Sequence, residues 1–230
     1  TQGGKQRFLP ADVPPAVAGA VAQKLPSRSS ASAAIHQPPG AILQDVGRLA
    51  DVVPVVEPEG EVVQRDLVKN CLRMRPDRIV IGEVRGAEAL DMLAAMNTGH
   101  EGSLTTLHAN TPRDALSRME NMVCMAGFDM PVHNIRAQIA SAIDVVIQLQ
   151  RQEDGCRRIT SVQEINGMEG DIITMSEIFK FARTGKDADG NIQGNYTATG
   201  VIPNFNNQLK LKGINLPNSI YGTDFNMSNF

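Results

Sequence analysis

Arg78-Ile79-Val80-Ile81-Gly82-Glu83 sets three β-branched residues in a row between charged ends. An unbroken apolar run suits a strand covered on both faces, as in a parallel sheet, rather than a strand with one wet face. Upstream, Val63, Leu67, Cys71 and Met74 recur at helical spacing, and Pro76 ends that helix. Downstream, the pattern predicts a helix over roughly residues 87–96 with Leu90, Leu93 and Met96 inward. It stops at Asn97-Thr98-Gly99, where glycine accepts the positive φ of a helix end.

The alternation continues. Ser103 to His108 reads as a second strand. Thr111-Pro112-Arg113-Asp114 then opens a helix with a threonine cap, proline at the first helical position and an acid three residues after the cap. That helix is predicted to reach Ala126 and stop at Gly127, and another starts at Pro131 and runs to Ala142. Asp144 to Leu149 and Arg158 to Ile165 flank Glu153-Asp154-Gly155, a hairpin turn. This order predicts an α/β layer fold with a mainly parallel sheet and an antiparallel edge hairpin.

The two ends of the chain read differently. Residues 1–59 hold 8 of the 13 prolines and a single aromatic, Phe8. Few large side chains are available there to offset an ordering cost of about 1–2 kcal/mol per residue. The expectation is an irregular or disrupted segment over 1–59, a core over 60–171, and a small β-rich or irregular appendage over 172–230. Asp187-x-Asp189-Gly190-Asn191 in that appendage has its glycine at the fourth position rather than the sixth and no closing glutamate, so a turn is expected, not a calcium loop.

Of the 230 residues, 42% are hydrophobic and 20% charged, and the net charge is −3 with both signs interspersed. Nothing in that balance attracts nucleic acid or an anionic membrane. Cys71, Cys124 and Cys156 are odd in number and far apart, which predicts reduced thiols in a cytoplasmic protein. No apolar run approaches the roughly 20 residues that span a bilayer. The opening Thr1, in place of Met, suggests a fragment.

In open α/β sheets, ligands gather at the carboxyl ends of the strands. Glu83 closes the first buried strand and His108 the second. Read as chemistry, the pair suits phosphate transfer: a carboxylate orients water and a neighbouring donor senses the terminal phosphate. Read as structure, Glu83 is a strand-end salt-bridge residue and His108 a hydrogen-bonded histidine. A zinc site on His100 and His108 lacks a third ligand at plausible spacing.

The segment Arg65 to Arg78, continuing through Gly82-Glu83-Val84-Arg85-Gly86, resembles the CpaF (TadA-type) branch of the type II/type IV secretion ATPases. So does Asn97-Thr98-Gly99-His100-Glu101-Gly102-Ser103-Leu104-Thr105-Thr106-Leu107-His108-Ala109-Asn110, and the likeness runs on through Ile143-Asp144 and Met168-Glu169-Gly170-Asp171. The resemblance implies a partial RecA-like P-loop NTPase core. Glu83 falls on the catalytic glutamate of the Walker B region, and His108 on the histidine of the histidine box. It also implies ATP and Mg²⁺ as cofactors, a homo-hexameric ring, and work beside pilus or secretion platform proteins at the cytoplasmic face of the inner membrane. Arg73, Arg75 and Arg85 are candidates for phosphate or subunit contacts, while His36 and His133 read as surface residues.

One part of the family pattern is broken. A phosphate loop needs Gly-x-x-x-x-Gly-Lys-[Ser/Thr], whose amides and lysine cradle phosphate and whose hydroxyl holds Mg²⁺. Thr1-Gln2-Gly3-Gly4-Lys5-Gln6 looks like the end of such a loop, with Gly4 and Lys5 in place but Gln6 where the hydroxyl belongs. The low-complexity text that follows, up to the resumed likeness near Glu57, is what a frameshift would produce; a divergent insert is the rival. Two functions therefore stand: part of a motor ATPase, or a non-catalytic ring module that does not bind ATP.

Overall fold

The computed structural model describes the backbone of residues 19–23 and residues 63–223 apart from residue 101. Seven strands form one sheet in the order β2-β3-β1-β4-β5-β6-β7. They are β1 (Gly19–Gln23), β2 (Val80–Ile81), β3 (Leu104–His108), β4 (Val145–Arg151), β5 (Arg157–Glu169), β6 (Ile172–Lys186) and β7 (Ile192–Ala198). The helices are α1 (Gln64–Arg73), α2 (Glu88–Asn97), α3 (Pro112–Cys124), α4 (Val132–Ala142) and α5 (Phe205–Leu211).

The expected strands and helices of the core are present, and local signals account for their ends. Thr111 caps α3, its side chain accepting from Asp114 N at 3.1 Å, with Pro112 at the first helical position. Gly127 follows α3 with φ 79°, the left-handed geometry that glycine adopts without a steric penalty. The face of α1 differs from the expected one: Val68 and Cys71 are buried, whereas Val63 and Met74 at its ends are exposed. Spacing marked the stripe, but only the packing partner chose which residues of it face inward.

The sheet is less parallel than expected. Only β2 and β3 pair in parallel. The other neighbours are antiparallel. From β4 onward each strand returns through a short turn, and a short turn joins antiparallel neighbours. Gly170-Asp171 makes one such turn, and Asp187 organises the next by accepting from Asp189 N at 3.0 Å and Asn191 N at 2.8 Å. β6 and β7 extend the same sheet, so the small appendage expected from residue 172 begins instead as its continuation.

A second correction concerns β1. Gly19–Gln23 lies in the stretch expected to be irregular, yet its five residues pair with β3 on one side and β4 on the other. The rest of residues 6–56, where disruption was expected, lies outside the described residues.

The core sits where α2, α3 and α4 meet the sheet. Leu93, Met96, Met119, Ile135, Ile139 and Leu107 are almost fully buried there. Each such side chain contributes about 1.5–3 kcal/mol relative to exposure. That mass of apolar side chains supplies the rigid floor from which the carboxyl ends of β2 and β3 emerge.

Candidate functional site

The alignment of β2 with β3 continues past the regular strands. Leu104 N donates to Ile79 O at 2.9 Å, and Val84 N donates to Thr106 O at 3.0 Å. Thr106 Oγ1 also donates to Gly82 O. From α1, Gln64 Nε2 donates to Glu83 O at 2.9 Å. Glu83 is therefore pinned through its own carbonyl and through the peptide groups on either side, alongside the end of β3.

That placement brings Glu83, His108 and Arg85 together. His108 Nε2 lies 2.9 Å from Glu83 Oε1, and Arg85 Nη2 donates to Glu83 Oε2 at 2.5 Å. Glu83 Oε1 is buried and accepts no aligned hydrogen bond, so the His108 ring stands beside it without hydrogen-bonding it. The Arg85 hydrogen bond foremost, with the charges of His108, Arg85 and Arg118, holds the Glu83 carboxyl below the usual carboxylate range, against the opposing effect of burial. At neutral pH the group is a carboxylate with Oε2 hydrogen-bonded to Arg85 and Oε1 beside His108.

The loop after Glu83 is fixed separately. Arg85 N and Gly86 N both donate to Glu88 Oε1, at 2.6 and 2.9 Å. On the other side, Ser103 Oγ accepts from Ile79 N at 3.1 Å and donates to His100 O at 2.7 Å, fastening the loop ahead of β3 to the start of β2. Gly102 has φ 84°, which favours glycine, and a Cβ there would lie 3.0 Å from Arg78 Nε, so the Arg78 side chain would also have to give slightly.

The remaining candidates are placed elsewhere. Gly4, Lys5, Gln6 and His36 lie outside the described residues. Arg73 and Arg75 are exposed around the end of α1, Arg75 with φ 50°. His100 Nδ1 is buried without a hydrogen-bond partner among the described residues. His133 pairs with Asp171 at 2.8 Å. All three cysteines are free thiols, and burial pushes that of Cys71 up. Among the described residues no group of three His, Cys, Asp or Glu is placed to hold a metal ion, and no helix is long and apolar enough to cross a membrane.

Four contributors escaped sequence reading: Gln64, Thr106, Glu88 and Arg118. Glu88 carries a usable signal, because an acid in the first turn of a helix can reach back to free amides. Gln64 and Arg118 carry none, since their reach to Glu83 spans distant parts of the chain.

Residues 46–198 match the family model for type II/IV secretion system protein, which covers more than half of the chain. The chain belongs to that family. Within the type II/IV secretion family, it is 47% identical over 115 residues to a Mycobacterium tuberculosis (strain H37Rv) protein named for conjugal transfer, covering 50% of this chain and 32% of that one. It is 41% identical over 101 residues to the conjugal transfer protein TrbB of Rhizobium radiobacter, covering 44% and 30%. Among solved structures, the VirB11 ATPase of the Brucella suis type IV secretion system, in complex with sulphate, is similar at 35% identity and TM-score 0.42, over 44% of this chain and 31% of that one. The chain spans about a third of the length of these relatives. Membership thus rests on the type II/IV secretion family as a whole; the narrower CpaF branch is not distinguished by these relatives.

Proposed function

We propose that this chain is the carboxyl-terminal part of a motor ATPase of the CpaF (TadA-type) branch, with Glu83 as the residue that activates water for ATP hydrolysis. The observation that carries the reading is an ionised Glu83 at a strand end, its buried Oε1 without an aligned hydrogen bond beside His108 and its Oε2 held by Arg85. Water held on Oε1 attacks the γ-phosphorus while the bond from that phosphorus to the β–γ bridging oxygen breaks. Glu83 takes the water proton, and ADP and phosphate leave. His108, on the neighbouring strand, faces the terminal phosphate and reports its presence.

The described residues fit the terminal-phosphate end of ATP: an orphaned acceptor for water and nearby cations for charge. Gly4 and Lys5 would contribute to the phosphate loop. Mg²⁺, where bound, neutralises phosphate charge, and its usual hydroxyl ligand is replaced by Gln6. The working assembly in this reading is a homo-hexamer at the cytoplasmic face of the inner membrane, beside secretion or pilus platform proteins and without nucleic acid. Gln6 specifically favours the second reading, a ring module that contributes interfaces but does not bind ATP.

The test is turnover in a version with its phosphate loop restored, the leading glycines added and Gln6 replaced by threonine (Gln6→Thr). ATPase activity that vanishes in Glu83→Gln supports the motor reading. Activity that persists in Glu83→Gln removes Glu83 from the mechanism, and no activity in the restored parent leaves the ring module.

A further inference from the structure

In this structure, Glu83 is not ready to act as a base. Arg85 Nη2 sits 2.5 Å from Oε2 and His108 Nε2 sits 2.9 Å from Oε1, so a guanidinium and an imidazole flank the two carboxylate oxygens. A carboxylate hydrogen-bonded to a guanidinium is a poorer proton acceptor than a free one, because the bond stabilises the charged form. The same geometry shows how that hold could be released. The Arg85 backbone cannot move easily, since its N–H and that of Gly86 are tied to Glu88 Oε1. The Arg85 side chain is 72% exposed, and among the described residues its hydrogen bond is to Glu83. Exposed ion pairs of this kind are weak and exchange readily. A terminal phosphate carries more charge than a carboxylate and offers a guanidinium matching paired acceptors.

We propose that Arg85 is a phosphate-operated latch on Glu83: at rest it clamps Oε2, and a terminal phosphate entering beside His108 draws the guanidinium away and frees the carboxylate. This rests on the reading of Glu83 as the base and adds its control. Arg85 is thus a positioning residue: it keeps Glu83 quiet until a phosphate to be cleaved is present, which limits futile proton transfer at an empty site. Fixing the Arg85 backbone through Glu88 lets the side chain alone switch partners, with no loop rearrangement.

The experiment follows the Glu83 carboxylate carbon by NMR in the chain itself, with the signal assigned by its loss in Glu83→Gln. Inorganic pyrophosphate is the probe, added up to tens of millimolar, and Arg85→Gln is the comparison. The exposure of Arg85 makes that variant safe for folding, which its amide spectrum checks. Without pyrophosphate, Arg85→Gln should raise the Glu83 titration midpoint. In the parent, pyrophosphate should shift the amides of Arg85 and Gly86 and raise the midpoint towards that of Arg85→Gln. In Arg85→Gln, the same occupancy should raise it much less.

Equal rises in both proteins would mean that the anion acts on Glu83 by direct repulsion, and the latch would be wrong. Shifted amides with an unmoved parent midpoint would also reject the latch while leaving a phosphate site in place. No response anywhere around Gly82, Glu83 or His108 would overturn the latch, since the phosphate meant to operate it would not reach these residues.

Discussion

Val84 N donates to Thr106 O at 3.0 Å, and this one backbone bond carries the β2–β3 pairing three residues beyond the end of β2. Its consequence is geometric. With Val84 beside Thr106, the residue before Val84 and the residue two after Thr106 finish on the same edge, so the Glu83 and His108 side chains meet at 2.9 Å. Alternation along a strand puts residues 106 and 108 on one face, and Thr106 Oγ1 uses that face to hold Gly82 O.

In a version with its phosphate loop restored, Glu83→Gln is expected to bind ATP about as well as the parent and to lose hydrolysis by about 10²–10⁴-fold, the usual weight of a general base. His108→Ala should lower turnover by less, because it senses phosphate without moving the proton. Steady-state ATPase rates, ATP affinity and Tm on the same samples separate chemistry from stability. Near-normal turnover in Glu83→Gln with a lowered Tm would make Glu83 a structural ion-pair residue.

The chain as it stands should bind ATP weakly or not at all, since Gln6 cannot supply the hydroxyl ligand and the leading glycines of the loop are absent. Titration with a fluorescent ATP analogue in Mg²⁺ is the measurement; low-micromolar affinity contradicts the expectation.

Glu164 is expected to hold the carboxyl-terminal helix onto the sheet. It is 4% exposed, and its two carboxylate oxygens accept from Asn204 N and Phe205 N, both at 2.9 Å, at the start of α5. Removing a buried acceptor strands its donors at a cost of about 1–3 kcal/mol. Glu164→Ala should therefore speed amide exchange across residues 204–221 more than across α2 and α3, and unchanged exchange there would show that the cap is dispensable.

Acid should loosen the β4–β5 turn through Asp154. Its carboxylate accepts from Ile192 N at 2.9 Å and Cys156 N at 3.0 Å and pairs with Arg158 at 2.8 Å. The Ile192 amide first, then the Cys156 amide and Arg158, hold its pKa below the ordinary aspartate value despite burial. A lowered folded-state pKa stabilises the fold above the unfolded-state pKa, and that stability is lost as pH falls through the folded-state value. Urea midpoints measured downward from neutral pH should fall less steeply in Asp154→Asn than in the parent, and parallel curves would reject the assignment.

β1 supplies a further check. Val21 lies opposite Thr106 on one side and Ile147 on the other. Proline in a strand paired on both sides removes a ladder donor, so Val21→Pro should lower the denaturation midpoint. A denaturation midpoint equal to the parent's would mean that Gly19–Gln23 does not hold this position in solution.

The amino-acid sequence alone determined what depends on near neighbours. The Thr111 cap, the Gly127 stop, the apolar run at Ile79-Val80-Ile81 and the turn at Asp187 are set by backbone preferences and by hydrogen bonds a few residues long. Those local signals sufficed to put Glu83 and His108 at the ends of adjacent strands. Tertiary structure decided what depends on distant partners: the inward face of α1, the entry of β1 between β3 and β4, the extension of the sheet into β6 and β7, and the contact of Gln64 with Glu83. The Arg85–Glu83 pair sits beside the point where the intervening Val84 is pinned to Thr106. The physical reason is that closing a long loop costs little more than closing a short one. An unpaired strand edge or an unsatisfied carboxylate can therefore recruit its partner from far along the chain, and nothing in the local sequence names that partner in advance.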